Sequence, residues 1–168
     1  MNKEELASIF DMPVDKISSY RNYALLFVAF PILTFVRRYY CAATSKADGI
    51  RVGQKQIPEI WNIYTNLAEK MGMKTLPKLY VVSGEGEVNA FALSCNTNVK
   101  YIVLHSEIAM LFKTHPEIVE FVLGHELGHH KLRYTSLWRS MVSSPLELIP
   151  GFGSSFTHAQ EYSADRMA

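Results

Sequence analysis

Apolar residues in "QIPEIWNIYTNLAEKMG" (Gln56–Gly72) fall at Ile57, Ile60, Ile63, Tyr64, Leu67 and Met71. Spacings of three and four predict a helix, and Gly72 supplies its stop. The pattern then shortens. Pro77 precedes "KLYVVS" (Lys78–Ser83), which predicts a strand, and "GEG" at Gly84–Gly86 a turn. "VNAFALS" (Val88–Ser94) and "KYIVL" (Lys100–Leu104), separated by the polar "CNTN", predict two further strands paired as a hairpin. "THPEIVEFVLGHELGHHKL" (Thr114–Leu132) predicts the strongest helix. Thr114 and Glu117 have capping-box spacing, and Pro116 is tolerated in a first turn. Ile118, Phe121, Val122, Leu127 and Leu132 spread around its circumference, so the helix is expected to be largely buried. Gly124 and Gly128 lie four apart on one side, where another backbone could approach. Trp138–Phe156, broken by Pro145, Pro150, Gly151 and Gly153, reads as an irregular connection. The closing "THAQEYSADRMA" turns helical and stops without a cap, so the domain is expected to be truncated at its C-terminus.

Upstream the pattern changes character. Tyr23–Val36, "YALLFVAFPILTFV", carries no charge and is bounded by Arg21 and by Arg37 and Arg38. A spanning helix needs about 20 apolar residues, and about 10–14 suit a core or interfacial helix. Flanking Tyr20, Tyr39 and Tyr40 would suit a headgroup belt. Membrane association through residues 23–36 and burial in a core both stay open. If the segment inserts, Arg37, Arg38, Lys46, Arg51 and Lys55 outnumber Lys3, Lys16 and Arg21, which would keep the downstream domain cytoplasmic. Thr44–Gly53 reads as a polar linker. Two regions follow: an N-terminal segment, 1–48, and a folded domain, 49–168.

Composition narrows the classes. A net charge of +1 with scattered Lys and Arg gives no basic stripe for nucleic acid. Two separated cysteines, Cys41 and Cys95, argue against a disulfide framework and for a reducing compartment. Neither a repeat nor a signal peptide is apparent.

"LGHELGHHKL" (Leu123–Leu132) is the costly stretch. Each glycine costs a helix about 1 kcal/mol against alanine, and unliganded histidines among aliphatics are expensive. His125 and His129, one turn apart, project from one face and can share one Zn²⁺ per chain. Glu126 can take a proton from water beside that ion. Leu132 and Thr135 exclude a third histidine ligand in the motif's continuation, and "LSCNTN" argues against Cys95. Glu161 in "EYSAD" is the better third ligand, with Asp165 four residues on to accept a hydrogen bond from a ligand histidine. Taken alone, Glu161 and Asp165 would read as a solvated helix face. His105, His115 and His130 read as incidental.

"GHELGHHKL", followed about thirty residues on by "EYSADRMA" and preceded by "NAFA", resembles the gluzincin peptidases of the HtpX-like and CAAX prenyl endoprotease family. The resemblance covers roughly Gly49–Ala168. It implies an α+β domain, with a small mostly antiparallel sheet packed on the zinc helix and flanking helices. It also implies a zinc metalloendopeptidase acting on peptide or protein substrates. His125, His129 and Glu161 would hold the metal, Glu126 would be the general base, and Asp165 would support the ligands. An edge strand matching Asn89, Ala90, Phe91 and Ala92 would hold substrate backbone. The family's transition-state stabiliser usually follows the "EYSAD" helix; His158 is the internal substitute on offer, but it reads better as a helix-surface histidine or one that supports the ligands. Two alternatives remain: a zinc-binding module that does not cleave, and a membrane-anchored interaction protein.

Overall fold

The computed structural model describes residues 14–95, 99–136, 139 and 152–168. The chain divides into two compact units, Met1–Val36 and Arg37–Ala168. Helix α1 (Val14–Asp48) contributes to both. In the first unit the apolar stretch is helical through Pro31, and Leu25, Val28, Ile32 and Leu33 are largely exposed. Among the described residues no helix is long and apolar enough to cross a membrane.

In the second unit, α1 persists through most of the expected linker. Thr44 and Ser45 donate their hydroxyls to the carbonyls of Tyr40 and Cys41, so these polar residues stay in the helix. Ala42 and Ser45 are buried. The chain leaves the helix at Gly49, where a Cβ would strike the Ser45 carbonyl oxygen, and Ile50–Arg51 form a short strand, β1.

Helix α2 (Pro58–Lys70) has Pro58 in its first turn and buries Ile60, Tyr64, Leu67 and Ala68. This is the face that the sequence spacing predicts. The Tyr64 hydroxyl donates to the Pro77 carbonyl at 2.8 Å, so its buried polar end is satisfied. Gly72 ends the element at φ +63°, a conformation in which a side chain would be strained.

Strands β2 (Lys78–Val82), β3 (Ala90–Ser94) and β4 (Lys100–His105) lie close to their expected positions. The sheet order is β1-β2-β4-β3, and β3 and β4 pair antiparallel, as the hairpin reading requires. The central β2–β4 pair is parallel, so the sheet is mixed. Tyr101, Ile102, Val103 and Leu104 are all buried, and a strand apolar on both faces belongs inside a sheet. Alanine-rich β3 is left at the edge. Leu79, Val81, Ile102 and Leu104 face a core shared with α2 and with Val119, Leu123 and Leu127 of the motif helix. Tyr80 and Tyr101 turn the other way, into a smaller cluster with Ala42 and Cys95.

Three further expectations need revision. Ser106–Leu111 forms a short helix, α3, too brief to leave a readable period. Helix α4 (Pro116–Lys131) starts without the expected capping box. The Thr114 hydroxyl donates back to Leu111, and the residue at the cap is His115, whose ring contacts the Glu117 carboxylate at 3.2 Å. Helix α4 also buries one face rather than most of its surface, with Val119, Leu123, Leu127 and His130 inside and Ile118 and Phe121 well exposed. The last helix, α5, spans Phe152–Asp165, so Phe152–Phe156 are helical rather than irregular. Most of the remaining connection from Trp138, and the turn residues Asn96–Asn98, lie outside the described residues.

Candidate metal centre

Two glycines bring α5 onto α4. A Cβ at Gly128 would lie 3.2 Å from the Ala164 carbonyl oxygen, and one at Gly124 would lie 2.9 Å from the Ala168 Cα. The four-residue spacing of these glycines therefore does make room for a second backbone. This close approach carries Glu161 and Asp165 to the histidine face of α4.

Three donor atoms converge there. His125 Nε2 and His129 Nε2 are 3.0 Å apart. Glu161 Oε2 lies 3.2 Å from the first and 3.6 Å from the second. A tetrahedral ion with bonds of 2.0–2.1 Å separates its ligands by about 3.3 Å, so the spacing fits Zn²⁺. Asp165 Oδ1 is 2.8 Å from His125 Nδ1. A carboxylate only accepts, so Nδ1 carries the proton, and the Nε2 lone pair is directed at the centre. Burial holds His129 below the usual imidazole range, which favours the neutral form that binds metal.

Glu126 lies beside these donors. It is 7% exposed, and burial pushes its carboxyl up to about 7 despite the nearby His125 and the Ala92 backbone N–H that donates to it. It lines a cleft of about 320 Å³ with Ala90, Phe91, Ala92, His125, His129 and Glu161. Five expected site residues and three of the four expected strand residues thus gather in one place. Asn89 lies just before β3, and its side-chain oxygen accepts from the Ala90 N–H at 2.9 Å.

The pairing phase of β3 defines what this strand offers. His105 N–H donates to Asn89 O, and Cys95 N–H to Val99 O. In an antiparallel ladder this alternation turns the backbone groups of Asn89, Phe91, Leu93 and Cys95 toward β4. Those of Ala90, Ala92 and Ser94 face the outer edge.

Two residues gain roles that the sequence reading missed. His130, read there as incidental, is 1% exposed. Its Nε2 is 2.8 Å from the Tyr101 carbonyl, which only accepts, so Nε2 is protonated. Nδ1 then accepts the Thr135 hydroxyl at 2.9 Å. Burial depresses this imidazole to about 4, so it ties the motif helix to β4 as a neutral group. Its spacing from Val119, Leu123 and Leu127 was a readable sign of burial. Arg38, the second residue, donates to the carbonyls of Ser94 and Thr135, and its isolation in sequence from the motif gave no such sign. By contrast Cys95 is buried in the smaller cluster, and His158 is exposed on α5.

A helix-borne pair of histidines and a carboxylate from a second helix form a group that could hold a metal ion, with a buried glutamate beside it. Residues 54–143, more than half of the chain, match peptidase family M48, and the chain belongs to that family. Membership places it among the metallopeptidases. The match includes His125, Glu126 and His129 and ends before Glu161 and Asp165. No curated protein matches the chain.

Proposed function

We propose that this chain is a zinc-dependent endopeptidase of the HtpX-like and CAAX-protease type, with a gluzincin arrangement and one ion held by His125, His129 and Glu161. The observation that carries this reading is the convergence of those three donor atoms, all within 4.8 Å of one another, beside a buried glutamate. A zinc ion in such a site supplies Lewis-acid polarisation of the scissile carbonyl and makes nearby water acidic at neutral pH. Glu126 accepts the proton of the attacking water on its carboxylate and returns it to the leaving amine. Asp165 orients His125, and an extended peptide adds to β3 as one more strand through the outward carbonyls of Ala90 and Ala92 and the N–H groups it takes over from Asn89 and Glu126. Backbone pairing depends little on side-chain identity, which suits a protein or peptide substrate.

The exposed Leu25, Val28, Ile32 and Leu33 support association of the N-terminal helix with a membrane surface. The basic excess beyond that segment suits a cytoplasmic location for the catalytic domain.

The test compares zinc content and hydrolysis of an unfolded protein in wild type and Glu126→Gln. Both should carry about one equivalent of zinc, and the variant should lose about 10²–10⁴-fold in rate because an amide accepts no proton. A Glu126→Gln protein that cleaves as fast as wild type would remove the mechanism. A wild-type protein that binds zinc without any turnover would leave the non-cleaving module.

A further inference from the structure

The cleft has one wall of β3 edge and one wall of α4, and the two walls are bridged. Arg38 Nη1 donates to Ser94 O and to Thr135 O, each at 2.7 Å. Ser94 O is an edge-facing acceptor at the end of β3, and Thr135 lies in the turn that follows α4. The side chain stems from α1, one turn before Ala42, which is packed in the cluster of Tyr80, Cys95 and Tyr101. Both the helix and its guanidinium are thereby held in place.

The geometry points to Arg38 as the residue that closes this end of the substrate cleft and limits how many substrate residues bind on that side. The inference rests on the peptidase reading above. A peptide laid along the β3 edge can pair with Ala90 and Ala92, whose carbonyls face outward and whose N–H groups it would take over from the side chains of Asn89 and Glu126. At Ser94 it meets an acceptor already engaged by a charged donor, and the guanidinium fills the gap to the Thr135 turn. From Ala92 to Ser94 the strand advances about 7 Å, the length of two residues. Backbone pairing toward Arg38 therefore ends after about two substrate residues, while the opposite end, toward Asn89, lacks such a bridge among the described residues. Substrate segments on the closed side must be short or must turn out of the cleft.

Two series of quenched-fluorescent peptides test this in the full zinc-loaded chain. Both share one cleavable bond, and each is extended by single residues at one end only. In wild type, one series should gain about three- to tenfold in kcat/KM per residue, chiefly through KM, and stop gaining after about two residues. The other series should not stop there. In Arg38→Ala the stop should move outward by at least one residue, and Arg38→Lys, which keeps a charged donor, should restore it. If Arg38→Ala does not fold or hold zinc, Arg38→Gln carries the same comparison. Identical length profiles in wild type and variant, or wild-type gains continuing past four residues at both ends, overturn the inference and leave the peptidase reading intact. Absence of any Glu126-dependent cleavage removes that reading and this one with it.

Discussion

Two buried groups near the motif should oppose each other as pH falls, and one substitution should separate them. In the metal-free chain, burial raises Glu126 from 4.5 to about 7. Between those values the folded state holds a proton that the unfolded state lacks, so Glu126 adds stability as pH falls. At about 1.36 kcal/mol per pKa unit the full effect is about 3 kcal/mol. His130 has the opposite sign. Burial lowers it from 6.5 to about 4, so the unfolded state holds the extra proton in that window. Its contribution is fully present above pH 6.5 and is lost toward pH 4, again about 3 kcal/mol. His129, also lowered by burial, acts in the same direction as His130. Wild type should therefore lose only modestly between pH 6.5 and 4.5. Glu126→Gln removes the opposing titration, and its stability should fall by about 3 kcal/mol over the same two units. With a urea m-value of about 2 kcal/mol/M, the midpoint of the variant should drop by about 1.5 M. Urea unfolding in the presence of a chelator, stepped from pH 7.5 to 4.5, measures both proteins. A Glu126→Gln curve parallel to wild type would refute the raised Glu126 carboxyl, and a Glu126→Gln stability that stays flat from pH 6.5 to 4.5 would refute a neutral, buried His130.

What the sequence disclosed follows from the range over which each signal acts. The α2 face, the three main strands and the His125–His129 pair are local periodicities, and they were readable. Gly124 and Gly128 announced a close approach because glycine in a helix interior is costly, and Ala164 and Ala168 supply it. Sheet order was not readable, because the parallel β2–β4 pair depends on a competition among strands for the central place. Thr44 and Ser45 looked like linker because their composition hid hydroxyl bonds to helix carbonyls. Thr114 misled for a related reason: capping-box spacing was present, but its hydroxyl was already committed to Leu111. Arg38 bonds to partners 56 and 97 residues away, and no local pattern encodes such a bridge.

Two further predictions address ligand support and substrate binding. Asp165→Ala removes the acceptor of the His125 Nδ1 proton and should weaken zinc binding by about 10–100-fold in chelator competition; an unchanged affinity would make that contact incidental. Ala90→Pro tests the edge strand. The Ala90 N–H faces away from β4 and donates to the side chain of Asn89, so proline at this position breaks no ladder bond. Proline is also tolerated on edge strands. The variant should fold and keep its zinc, yet lose the outward donor that an added strand needs, with KM rising about tenfold or cleavage abolished. Phe91→Pro is the contrasting control, since the Phe91 N–H faces β4 and its loss should cost stability instead. Zinc content, urea midpoint and peptide kinetics together separate the two outcomes. If the folded, zinc-bearing Ala90→Pro protein keeps wild-type kinetics, substrate is not held by the β3 edge, and the alanines are packing against α4 and nothing more.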